Sequence, residues 1–118
     1  MPNPVTWFEI GGKDGKQLQQ FYADLFSWKV DANNPMQYGM VDTQTGKGTN
    51  GGIYHSDAGP YLTIFVEVDD LQAYLDKAVK MGAKIIQPVT VVPDMVTWAS
   101  FADLAGNVVG LIKSQNPS

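Results

Sequence analysis

Glu9 sits between two large apolar residues in the run Trp7-Phe8-Glu9-Ile10, the middle of an expected strand. A carboxylate there loses hydration, and its pKa rises unless a cation or a hydrogen-bond donor satisfies it. No arginine can do so, because all eight basic residues are lysines. Glu9 can therefore act as a general base or acid, or anchor a cationic or hydroxyl-bearing ligand. The structural alternative is a carboxylate held by Asn50, Tyr54, Thr63 or water. The single histidine, His55, adjoins Tyr54 and could pair with it in acid–base work. Its place beside a linker reads first as exposed surface. Asp42 lies near a turn and reads as solvated. One histidine and no cysteine exclude disulfides, thiol nucleophiles and the usual nitrogen and sulfur metal set. No serine has a plausible triad around that one histidine. The run Gly11-Gly12-Lys13-Asp14-Gly15-Lys16 lacks the spacing of a phosphate loop, since Gln17 follows Lys16.

These groups need elements to hold them. Val5–Ile10 reads as a strand. Asp14 then opens a helix with Leu18, Phe21, Tyr22, Leu25 and Phe26 on one stripe. Strands are expected at Trp28–Val30, Tyr38–Asp42 and Asn50–Tyr54, and Ser56–Pro60 reads as a linker. The order then repeats. Tyr61–Val68 is β-prone, Asp69-Asp70 starts a helix bearing Leu71, Tyr74, Leu75, Ala78 and Val79, and Gly82 stops it. Strands follow at Lys84–Val92, Met95–Ala102 and Val108–Lys113, with a tight turn at Asp103–Gly106 and a frayed tail from Ser114 to Ser118. The expected fold is α+β, one domain over residues 1–118 made of two tandem βαβββ units, about 4–55 and about 60–114. A helix covers the outer face of each unit, and the opposite faces of a curved mixed sheet enclose a cup.

The net charge of −4 and the absence of a lysine cluster speak against nucleic-acid binding. No apolar run approaches the ~20 residues of a membrane span. The first residues show neither a basic segment nor a long apolar one, so no signal peptide and a cytoplasmic setting are expected.

Several segments, in order and spacing, resemble the vicinal oxygen chelate superfamily of glyoxalases, bleomycin-resistance proteins and extradiol dioxygenases. They are Trp7–Ile10 ahead of Asp14, Phe21-Tyr22-Ala23-Asp24-Leu25-Phe26-Ser27-Trp28, Phe65–Leu71, Met81-Gly82-Ala83, and Phe101–Asn107. Ser27 stands where glycine is usual and Leu104 where proline is usual. The resemblance covers nearly the whole chain. It implies metal ligands on the first and last strands of each unit, positions held here by Trp7, Gly52, Thr63 and Gly110. Only Thr63 offers an oxygen there, so neither a metal nor a cofactor is expected. If those positions face the cup, strand alternation adds Glu9, Asn50, Tyr54, Phe65, Trp98 and Ser100 to its lining. The two glycines leave room in it. Phe8, Ile10, Ile64, Val66, Val68, Val109 and Leu111, of opposite parity, should pack beneath the helices. The resemblance also implies a homodimer.

The reading that follows is a metal-independent small-molecule binding protein, with an aromatic cup and Glu9 as its polar anchor. Its ligand would be aromatic or cationic. One alternative is a metal-free lyase or isomerase with Glu9 as general base. Another is a non-catalytic dimeric interaction module whose cup is filled. The sequence names no substrate.

Overall fold

Gly11 and Gly12 prolong the first strand rather than forming a loop. In a computed structural model, which describes residues 2–114, β1 runs Val5–Gly12. Most of the expected tail, residues 115–118, lies outside the described residues. Asp14 caps α1 (Gly15–Phe26), its carboxylate accepting the Gln17 amide at 3.0 Å. Ser27 ends this helix with φ 59°, a left-handed conformation where a glycine would be unstrained. The chain continues through β2 (Lys29–Asp31), β3 (Gly39–Asp42) and β4 (Gly51–His55). These strands lie in the order β2-β3-β4-β1. The β1–β4 pair is parallel and the other two are antiparallel. Val41 and Ile53 are buried. Gln19 ties α1 to the sheet by donating to the Ile53 carbonyl at 2.8 Å.

The expected apolar stripe of α1 is only half used. Leu18 and Tyr22 are partly buried, but Phe21, Leu25 and Phe26 are 55%, 58% and 53% exposed. Trp28 joins the part that is used. Its ring packs on Phe8 (5.4 Å between centroids), Tyr22 (5.8 Å) and Phe26 (5.1 Å). An indole from beyond the helix thus adds to the ring contacts of the Tyr22 side of the stripe.

The second series is β5 (Tyr61–Val68), α2 (Leu71–Lys80), β6 (Lys84–Val92), β7 (Val96–Ala102) and β8 (Val108–Lys113). Its order is β5-β8-β7-β6, with β5–β8 parallel. Asp70 caps α2 through the Ala73 amide at 3.0 Å. At the other end Gly82 takes φ 105°, and the amides of Gly82 and Ala83 return to the carbonyls of Val79 and Ala78. Val68, Leu71, Leu75, Ala99 and Leu111 form the core. Val66 packs against it as expected, whereas Ile64 is 43% exposed. The contacts of α2 run to β6, β7 and β8. Asp103 closes the β7–β8 turn, accepting from the amides of Ala105 and Asn107, both at 2.9 Å.

The βαβββ order thus occurs twice, as expected for this α+β chain. Two compact units emerge, Thr6–Ile64 and the stretch from Phe65 onward, the latter including the first residues up to Val5. Asn3 and Pro4 join that second unit by bonding the Glu67 backbone. No helix of the described residues is long and apolar enough to cross a membrane.

Candidate functional site

In the first unit, the β1–β4 ladder places Glu9 opposite Gly52, and β3 places Met40 on the other side of Gly52. Tyr38 immediately precedes β3. Its backbone is fixed by Asn34, whose side chain accepts the Tyr38 amide at 2.9 Å and donates to the Tyr38 carbonyl at 2.7 Å. The Tyr38 ring then lies over Gly52, and a Cβ on Gly52 would overlap its ring and hydroxyl. The missing side chain is what lets the phenol reach inward. Tyr38 donates to Glu9 Oε2 at 2.8 Å and accepts from Trp7 Nε1 at 3.0 Å. Tyr61, at the start of β5, stands near enough to feel the Glu9 charge. Tyr54 stacks on Tyr38 (5.8 Å, 27°) and meets Tyr61 edge-on (5.9 Å, 84°).

Burial pushes the Glu9 carboxyl above its ordinary range, and the nearby phenols, Tyr38 first, pull it partly back. Burial, followed by the adjacent Glu9 charge, drives the Tyr38 and Tyr61 phenols well above the usual phenol range. Tyr54 shifts the same way for the same two reasons. All three phenols therefore keep their protons at neutral pH. The chemistry on offer is one half-buried carboxyl within an aromatic wall, accepting a hydrogen bond from a phenol that keeps its proton.

The positions implied for metal ligands do not fit a divalent ion. Trp7 has only an N–H, and it is committed to Tyr38. The room expected from the two glycines is filled by rings: Tyr38 lies over Gly52, and Phe65 lies over Gly110, its partner in the β5–β8 ladder. Thr63 is buried and supplies one neutral hydroxyl. Among the described residues, no group of three or more His, Cys, Asp or Glu side chains could hold a metal. About three good protein donors are needed for a catalytic zinc.

The remaining candidates divide by unit. Trp7, Glu9, Tyr54 and Thr63 belong to the first unit, and Phe65, Trp98 and Ser100 to the second. There, Phe65 and Trp98 meet edge-to-face at 6.2 Å, and buried Ser100 pairs with Gly110 across β7–β8. Asn50 is exposed one residue before β4. It accepts from the Thr43 amide at 3.0 Å and so braces the β3–β4 connection instead of meeting Glu9. Asp42 accepts the Gln44 amide at 2.8 Å in the same connection. His55 is exposed and bonded to Asp57 at 2.6 Å, a contact that raises its pKa. Tyr38 is the residue that sequence reasoning missed.

No family model matches the chain. It is 27% identical over 116 residues to the "Putative glyoxylase CFP32" of Mycobacterium tuberculosis, an alignment covering 90% of this chain and 44% of the relative. The chain thus spans less than half the length of the curated relatives it matches. Among solved structures, it is similar to the methylmalonyl-CoA epimerase of M. tuberculosis (TM-score 0.70, 11% identity, 95% of this chain and 88% of that one). It is also similar to a glyoxalase/bleomycin resistance protein/dioxygenase superfamily member from Vibrio splendidus (TM-score 0.65, 16% identity, 96% and 100%).

Proposed function

For a chain with the fold of the glyoxalase/bleomycin-resistance/dioxygenase superfamily, we propose a metal-independent small-molecule binding protein with Glu9 as its polar anchor. The observation that carries this reading is the Glu9 carboxyl held by Tyr38 inside a wall of Trp7, Tyr38, Tyr54 and Tyr61. Apolar walls with a few placed polar groups are the usual makeup of a small-molecule site. Phe65, Trp98 and Ser100 are the further candidates for ligand contact, in the second unit. The enzyme names of the relatives fit a protein that handles small molecules.

The test is a thermal-shift screen of metabolite-sized compounds on wild type and Glu9→Gln, with elemental analysis of the purified protein. Expected are hits that raise the wild-type Tm and lose their effect in the variant, and no stoichiometric divalent ion. A tightly held Zn, Ni, Mn or Fe at about one per chain would overturn the metal-independent reading. A second reading, a metal-free lyase or isomerase with Glu9 as base, is favoured by the upward shift of the Glu9 pKa, which makes its carboxylate a stronger proton acceptor than an ordinary glutamate. Product formation from a bound compound, abolished in Glu9→Gln, would select it. The working assembly in this proposal is a cytoplasmic homodimer, which light scattering at micromolar concentration checks.

A further inference from the structure

The direction of the protons between Trp7, Tyr38 and Glu9 can be assigned. An indole Nε1–H donates and never accepts. Trp7 therefore gives its hydrogen to Tyr38 Oη, and the Tyr38 proton is free to go only onward, to Glu9 Oε2. The indole and the phenol thus pass their hydrogens in one direction, toward the carboxylate, and each bond in such a chain strengthens the next. A carboxylate has about four lone-pair sites, and Tyr38 takes one of them. What it still offers is acceptor capacity and negative charge. Nothing on hand neutralises that charge: the chain has no arginine, and no ion pair reaches Glu9 among the described residues. Around it stand the rings of Tyr38, Tyr54 and Tyr61 and the indole of Trp7, whose faces attract cations.

From this polarity we infer that the ligand is an organic cation carrying N–H donors, a protonated amine beside an aromatic or apolar body. This rests on the binding-site reading above and fixes the chemistry of its ligand. A vicinal-oxygen anion, the complement of a metal ion, would meet a charge of its own sign. An ammonium group meets free acceptor sites, and its charge favours the ionised carboxyl.

Four probes share one ring and differ in the group attached: benzylamine, benzyltrimethylammonium, benzyl alcohol and phenylacetate. Titrations at pH 7 would follow the indole N–H resonances by NMR, with Trp7 assigned through Trp7→Phe. Benzylamine should shift the Trp7 resonance saturably, benzyltrimethylammonium more weakly, and phenylacetate not at all. In Glu9→Gln the benzylamine affinity should fall about tenfold or more. The wild-type comparison of the four probes stands even if that variant folds poorly. Tighter binding of phenylacetate or benzyl alcohol than of benzylamine would overturn the ligand assignment and leave the binding site standing. Failure of all four to shift the Trp7 resonance would overturn the site itself.

Discussion

Tyr38→Phe removes one oxygen and leaves the ring that covers Gly52 in place. Two hydrogen bonds go with it, the 2.8 Å bond to Glu9 and the 3.0 Å bond from Trp7. A bond to a charged acceptor contributes about 1.5–3 kcal/mol, and an orphaned donor costs about 1–3 kcal/mol when fully buried. All three residues are only partly buried, so water recovers a share of both. The expected loss is therefore near the bottom of the summed range, about 2–3 kcal/mol. At roughly 4 °C per kcal/mol for a domain of this size, Tm should drop by about 8–12 °C. Urea unfolding read by tryptophan fluorescence should show a lower midpoint with an unchanged slope. Tyr61→Phe should cost less, about 1 kcal/mol or below, since it strands no indole and leaves the Tyr38 bond to Glu9 in place. A Tyr38→Phe variant within about 0.5 kcal/mol of wild type, the scatter expected of a neutral surface change, would refute the relay.

Three further outcomes are expected. The folded-state pKa of Glu9 lies above its ordinary 4.5, so its contribution to stability is fully present below that value and is lost as pH rises through the folded pKa. Wild type measured against Glu9→Gln by urea titration should thus lose ground as pH rises above 4.5, and a flat difference would contradict the assignment. Asp103 is shifted the other way, below its ordinary 3.8, by the Asn107 side chain and amides of the turn. Its contribution is present above that value and lost as pH falls through the folded pKa, so an Asp103→Ala deficit should shrink in acid and persist at neutral pH. Gly110→Ala drives a methyl into the Phe65 ring and should cost about 1–3 kcal/mol, partly recovered when Phe65→Leu makes space. An equal cost in both backgrounds would mean that the ring is not the obstacle.

How much of this could be read beforehand depended on range. Elements and caps were legible because their signals are local. Asp14 and Asp70 each lie three residues from the amide they accept, and Gly82 marks its own left-handed stop. Glu9 was legible as a charged residue with apolar neighbours. Tyr38 was not, because it lies outside any strand, in a loop set by Asn34 and by Gln37 at φ 53°, and reaches 29 residues back. Alternation carries no information beyond the end of a strand. Asn50 failed for the same reason, one residue short of β4. The stripe on α1 was visible, but Trp28, which supplies part of the contact beside it, comes from beyond the helix. At Gly52 and Gly110 the sequence shows a missing side chain but not the ring that occupies its space.

The pairing of Gly52 with Tyr38, and of Gly110 with Phe65, constrains how such a chain can change over generations. A carboxylate introduced at position 52 meets occupied space unless Tyr38 has already been replaced. Replacing Tyr38 first strands Trp7 and withdraws a donor from Glu9. Either order of single substitutions passes through a weakened protein, although the end point need not be weak. The same holds for positions 65 and 110. Non-additivity between touching residues thus becomes a historical barrier. A lineage with this arrangement descends easily to variants that keep the rings, and placing a carboxylate at position 52 or 110 requires paired mutations at each place.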